Sequence, residues 1–226
     1  MRLALFDIDG TLISDGGAAR AAYAAALETM YGYRGDLRRY DFSGRTDPQI
    51  THMVLRDFGL DAEEIDASMD ALWSVYLDHL ATNVPGRVRA LPGVIELLDA
   101  LAADARVTLA LLTGNIEPGA RLKLGGADLN RYFPFGAFGS DSPRREELPP
   151  IAVARASQHA GVEVRGRDVV IIGDSIYDVR CGVPHDATTI AIASLMTLPE
   201  LLRAENPHHY FESAREKEAL LAAILG

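Results

Sequence analysis

Cysteine, lysine and long apolar runs are all scarce in these 226 residues, and each scarcity excludes something. A single cysteine, Cys181, rules out an internal disulfide framework and fits a reducing compartment. No apolar stretch approaches the ~20 residues that span a bilayer. The start, Met1-Arg-Leu-Ala-Leu-Phe-Asp7, reaches a carboxylate too soon for a secretory leader, so a cytoplasmic setting is expected. Basic charge is outweighed: 22 Lys+Arg against 32 Asp+Glu leave a net −10, which disfavours nucleic acid and anionic membranes as partners. Only Lys123 and Lys217 are lysines; the other basic residues are arginines. The six histidines (His52, His79, His159, His185, His208 and His209) show no ligand spacing joined to Cys or acids and read as ordinary residues. No internal repeat or low-complexity segment is present.

What is there is an ordinary globular composition, 48% hydrophobic and 24% charged, long enough for one domain carrying a smaller insert. Leu3 to Asp9 is a short apolar run broken at Gly10-Thr11, as in a buried strand ending in a turn. Gly17 to Tyr31 is helical in pattern, and Asp47-Pro48 reads as an N-cap followed by Pro at the first helical position. Ile65, Met69, Leu72, Trp73, Tyr76, Leu77 and Leu80 mark a third amphipathic helix, so residues 14–86 read as all-helical. Beyond Pro92-Gly93 the texture alternates. Helices are expected near Val94–Ala103, Gly119–Leu124, Ile151–Ala160 and Glu216–Leu225. Strands are expected at Val107–Leu112, Gly136–Gly139, Val169–Ile172 and Thr188–Ala193. Continuous apolar strands between helices indicate an α/β fold, a doubly wound, Rossmann-like parallel sheet covered on both faces. The expected division is an α/β core of 1–13 and 87–226 with a helical cap of 14–86.

Three of these strands end in reactive residues: Asp7-Ile-Asp9-Gly-Thr11, Thr113-Gly114-Asn115, and Gly173-Asp174-Ser-Ile-Tyr-Asp178. Ligands of open parallel sheets bind beyond the carboxyl ends of the strands, so the three clusters converge on one crevice. Asp7, Asp9, Asp174 and Asp178 would repel one another there unless a cation compensates. Hard oxygen ligands without clustered Cys or His favour Mg²⁺.

Asp7-Ile-Asp9-Gly10-Thr11-Leu12 resembles the first motif of the haloacid dehalogenase superfamily in its phosphatase form. Leu111-Leu-Thr113-Gly114-Asn115 resembles the second motif and Gly173-Asp174-Ser-Ile-Tyr-Asp178 the fourth, in the same order and wide spacing. The helical insert is similar to the family's helical cap. The resemblance implies that Asp7 is the nucleophile, forming an aspartyl-phosphate, and that Asp9 is the general acid and base. It implies Mg²⁺ on the Asp7 carboxylate, the Asp9 backbone carbonyl and Asp174. The Thr113 hydroxyl and the backbone N–H groups of Gly114 and Asn115 would hold the phosphoryl oxygens. Asp178 would orient a metal-bound water or the site's basic residue, or interact only with the start of its own helix.

The third motif departs from the pattern. The family's usual lysine has no counterpart, since Lys123 lies in the helix after the second motif and Lys217 in the last helix. Arg145 falls nearer the expected place than Arg144 and can serve through its fixed positive fork. In the cap, Ser43-Gly-Arg45-Thr-Asp47 resembles a substrate-specificity segment, where Arg45 would reach a carboxylate or second phosphate. The competing reading is a helix cap plus a surface arginine. Trp73 and Tyr76 read as cap core, and Cys181 as a small packed residue.

The function implied is a Mg²⁺-dependent phosphatase for a small soluble phosphomonoester, in the phosphoglycolate-phosphatase-like branch, acting as a monomer or homodimer. A dehalogenase is disfavoured by Asp9 and the Asp174/Asp178 motif. A phosphonatase would need a cap lysine, and 14–86 has none. A sugar-phosphate mutase shares the Asp9 role, and a non-catalytic binding protein on this fold would have lost Asp7 or Asp9.

Overall fold

The computed structural model describes residues 1–161 and 163–226. Its centre is β1 (Arg2–Phe6), flanked in parallel by β4 (Val107–Leu112) and β6 (Val169–Gly173). Side chains alternate across a strand, so Leu3 and Leu5 point to one face while Ala4 and Phe6 point to the other. Both faces are apolar because both are covered. Leu3 and Leu5 pack with Leu148, Ala152 and Ala156 of α6 (Leu148–Ala160). Ala4 and Phe6 share a larger core with α4 (Val94–Ala102) and α9 (Lys217–Leu225). Each fully buried Leu or Phe contributes about 1.5–3 kcal/mol.

With β5 (Gly136–Ala137), β7 (Thr188–Ile192) and β8 (His209–Phe211), the sheet runs β5-β4-β1-β6-β7-β8, every pairing parallel. Chain order reverses between β1 and β6, which opens a crevice at their carboxyl ends. This is the doubly wound α/β sheet expected. α5 (Glu117–Gly126), α7 (Ile176–Gly182) and α8 (Pro199–Ala204) complete the core.

Between β1 and α4 lie α1 (Ala18–Tyr31), α2 (Asp47–Phe58) and α3 (Ala62–Asn83). The chain leaves through β2 (Ile13–Ser14) and returns through β3 (Arg89–Ala90), which pair antiparallel, so Ser14 belongs to a strand rather than to the helical block. The N-cap of α2 is Thr46, whose hydroxyl accepts from the N–H of Gln49 while the Gln49 side chain accepts from the N–H of Thr46. Asp47, read from sequence as the cap, is instead the first helical residue, because Thr46 takes the extended backbone the cap needs. The strand expected over Gly136–Gly139 is ordered only at Gly136–Ala137, and β8 and α8 had no expectation.

Candidate active site

The ladder between β1 and β6 continues one residue past β1: the Asp7 N–H donates to the Ile172 carbonyl at 2.9 Å. That contact aims Asp7 across the crevice toward Asp174, the residue after β6. Gly10 lets the loop pass; at φ +84 it adopts a backbone that other residues avoid, and a Cβ there would overlap the Asp174 carboxylate. Thr11 Oγ1 donates to Asp174 at 3.2 Å and Ser194 Oγ at 2.5 Å. At the start of α7, Ser175 is the N-cap, and its N–H and hydroxyl donate to Asp178 at 2.9 and 2.6 Å. One carboxylate oxygen each of Asp7, Asp174 and Asp178 lies within 4.8 Å of the others, and all three residues are buried.

One guanidinium stands among these acids. Arg145 is 4% exposed; its Nη2 donates to Asp7 Oδ1 at 3.1 Å and also to Asp178 Oδ1. Its Nη1 donates to the Gly44 carbonyl at 3.2 Å, and its buried Nε has no hydrogen-bond partner among the described residues. Arg144 points outward to Glu147. Asp178 thus meets both the start of its own helix and the basic residue. Burial pushes the Asp7 carboxyl up to about 7 despite Arg145, with Asp178 and Asp9 adding repulsion. Burial also raises Asp174 well above the usual carboxylate range, reinforced by Asp7 and Asp178. A pocket of oxygen donors whose ionisation is opposed by their own proximity fits a small divalent cation.

The second strand end builds a different cluster. Thr113 is fully buried at the end of β4, and its Oγ1 accepts from the Asn115 N–H at 3.3 Å and the Asn115 Nδ2 at 2.8 Å. The Asn115 amide also donates to Asp9 Oδ2 at 2.8 Å. The Asn115 N–H, expected to face phosphate, therefore closes the local turn, and its side chain holds Asp9. Lys123, 3% exposed, completes the arrangement with Nζ 2.6 Å from Asp9 and 2.5 Å from Asn115 Oδ1. Burial alone would lower the Lys123 pKa, but attraction to Asp9, Tyr76 and Asp47 raises it, so the ammonium stays charged.

Lys123 lies outside the third motif by sequence, and the structure brings it to the site. Its signal was on the helix: Gly119, Ala120, Lys123 and Leu124 form the buried stripe of α5, and a lysine on an apolar stripe needs an acid beneath it.

The segment before α2 is clamped over these loops. The Asp47 N–H donates to the Gly114 carbonyl at 2.8 Å, the Asp47 carboxylate accepts from the Ile116 N–H at 2.8 Å, and Thr46 Oγ1 donates to the Pro143 carbonyl at 2.7 Å. Burial pushes the Asp47 carboxyl up to about 6. A Cβ at Gly114 would overlap the Arg45 carbonyl. Arg45 donates from Nε to the Asp41 carbonyl at 3.1 Å, and its guanidinium lies 5.4 Å from the Tyr177 ring. The cavity between them measures about 780 Å³, with Asp7, Asp9, Thr113, Lys123, Arg145 and Asp174 among its lining residues. Trp73 and Tyr76 belong to the cap's apolar core, as expected, and also line this cavity. No histidine lines it among the described residues.

The sequence profile of the haloacid dehalogenase-like hydrolases matches residues 4–182, which contain every one of these groups except Ser194. The chain belongs to that family. This hydrolase is 30% identical over 188 residues to a phosphoglycolate phosphatase of Agrobacterium fabrum, covering 78% of this chain and 74% of the relative. It is 22% identical to a probable phosphatase, IndB, of Dickeya dadantii, over 99% of this chain and 94% of that one. Among solved structures, CbbY from Rhodobacter sphaeroides in complex with phosphate shares the fold with TM-score 0.79 at 18% identity, covering 99% of each chain. Family and relatives together make this hydrolase an enzyme of the phosphatase type. Among the described residues no helix is long and apolar enough to cross a membrane.

Proposed function

We propose that this hydrolase is a Mg²⁺-dependent phosphatase of small soluble phosphomonoesters, working through an aspartyl-phosphate on Asp7. The observation that carries the reading is the buried Asp7, in contact with Arg145 and beside Asp174, with Asp9 held two residues on by Asn115 and Lys123. Asp7 attacks phosphorus in line with the departing oxygen. Asp9 donates a proton to the leaving alkoxide and then takes one from the water that hydrolyses the acyl phosphate. Arg145 draws the phosphoryl group towards the nucleophile and offsets repulsion between two anions, and Asp178 holds Arg145 in that position. The Thr113 hydroxyl and the Gly114 N–H are the remaining donors assigned to phosphoryl oxygens. The Asp7 and Asp174 carboxylates and the Asp9 carbonyl would hold Mg²⁺, which when bound neutralises charge developing on the phosphoryl group.

Residues 14–86 form the cap over a core of 1–13 and 87–226, with the paired β2 and β3 as the two-stranded hinge. Arg45, in the cavity wall, would meet an anionic substituent of the alcohol through its terminal nitrogens. The buried, unpaired Cys181 suits the cytoplasm. Hydrolysis of p-nitrophenyl phosphate with Mg²⁺ and with EDTA, by the wild type and Asp7→Asn, tests the reading. Turnover is expected only for the wild type with metal; an inactive wild type, or an equally active Asp7→Asn, refutes it.

A further inference from the structure

Assigning Asp7 as the nucleophile locates the phosphate and leaves the alcohol open. The cap side of the cavity is a wall of aromatic rings. Phe42, Tyr23, Tyr76 and Trp73 form one edge-to-face series, with centroids 6.2, 6.1 and 6.2 Å apart in that order, and all line the cavity. Tyr23 turns its hydroxyl away, donating to Thr51 Oγ1 at 2.9 Å, so the cavity receives the ring and not the polar head. Leu91 and Met196, from the α/β part of the chain, also line the cavity. At the rim Leu195 and Met196 stand exposed next to one another, beside the contact that joins Ser43 of the cap segment to Thr197 at 3.2 Å.

Size points the same way. Cavities of about 300–1,000 Å³ take ligands of drug size, and at about 780 Å³ this one leaves most of its volume unfilled by a two-carbon acid. A sugar needs convergent hydrogen-bonding groups along its length, whereas flat rings gain from offset stacking on other rings. The lining is polar at the carboxylate end and again at Arg20, Ser43, Arg45 and Glu212, and the Tyr76–Trp73 stretch is its aromatic part.

Resting on the phosphatase reading, we propose that the alcohol carries a planar aromatic or heteroaromatic ring system, seated against Trp73 and its aromatic neighbours, and is larger than glycolate. The phosphoryl end is held as described above, and the ring end supplies specificity through burial.

The test is phosphate release by the Mg²⁺-loaded enzyme from flavin mononucleotide, pyridoxal phosphate and uridine monophosphate, against phosphoglycolate, glycerol phosphate and glucose phosphate. Pyridoxal phosphate is the ester of a pyridylmethyl alcohol and phosphoglycolate that of an α-hydroxy acid, so the comparison free of leaving-group bias is read on flavin mononucleotide and uridine monophosphate, both esters of primary alkyl alcohols. The best ring-bearing ester is expected to exceed phosphoglycolate at least ~10-fold in kcat/KM, chiefly through KM. Trp73→Ala should narrow that ratio at least ~5-fold, with Trp73→Phe restoring most of it. Trp73 is the one tryptophan in the chain, so quenching of its emission by flavin mononucleotide in Asp7→Asn reads binding without turnover. Phosphoglycolate or glucose phosphate at or above the ring-bearing esters would overturn this inference and leave the phosphatase reading intact. Phosphate release from none of the six, with p-nitrophenyl phosphate still hydrolysed, would overturn this inference alone; loss of that hydrolysis as well would overturn both.

Discussion

Lys123 is a buried ammonium on the inner face of α5. Its helix turns it inward, onto the acid assigned to proton transfer, where it and Asn115 hold the Asp9 carboxylate at 2.6 and 2.8 Å. It is a positioning residue, acting on the reaction through Asp9. Lys123→Met keeps much of its shape and removes the charge, so kcat should fall about 10–100-fold with KM little altered. Lys123→Arg should recover part of the loss, and steady-state kinetics of the three proteins check this. The choice between two adjacent arginines is also a residue-scale matter. Arg145→Ala leaves Asp7 and Asp178 buried without their cation, at a cost of about 3–5 kcal/mol, and should remove most activity. Arg144→Ala loses one exposed pair with Glu147 and should leave kcat/KM close to the wild type. Chemical denaturation alongside kinetics separates the two effects. Asp7, Asp9, Asp174 and Asp178 were legible because each directly follows an apolar run or opens the next helix. Lys123 was not, because its meaning depends on which face of α5 is buried.

At the scale of elements, three strand ends and one cap segment do the positioning. β1, β4 and β6 were legible as continuous apolar runs, and a parallel sheet buried on both faces requires that texture. β8 was not: His209-Tyr-Phe211 has no run, and it is a strand because Ile190 to Ile192 of β7 offer an open edge. Its neighbour His208 accepts the Thr189 N–H at 3.0 Å, a structural use for a histidine that sequence could only call ordinary. The contact between Gly114 and the residues preceding α2 carries a prediction. Gly114→Ala forces the Arg45–Thr46 backbone away from the second-motif loop and disturbs the Asp47 hydrogen bonds on either side. A displacement of about 1 Å can cost up to ~100-fold in rate, and a loss of at least ~10-fold in kcat/KM is expected. Faster proteolysis within residues 32–46 should accompany it, and unchanged kinetics would remove this segment from the closed site.

For the whole molecule, the net charge of −10 has a local counterpart in acids that folding brings together. Asp7 and Asp47 are raised to about 7 and about 6, and Asp174 is raised well above its usual range, all chiefly by burial. The folded metal-free protein therefore holds protons that the unfolded chain releases. The contribution of these three groups to its stability is fully present below about pH 4 and is lost as pH rises through about 7. A divalent cation held by Asp7 and Asp174 would compete with the protons on those two groups, so its stabilisation is expected to grow over the same interval. At ~100 times its Kd the ion adds about 2.7 kcal/mol, or about 5–10 °C in Tm for a chain of this size. That gain should appear near pH 8 and shrink towards about pH 5, read by thermal unfolding with and without EDTA. Equal gains at both ends would mean that the metal does not bind at these carboxylates. The proposed covalent intermediate on Asp7 is open to acid quenching during turnover followed by peptide mass spectrometry. One phosphoryl group is expected on the peptide containing Asp7, present with Mg²⁺ and absent from Asp7→Asn. Steady turnover with that peptide unmodified at every quench time, and retained by Asp7→Asn, would contradict it.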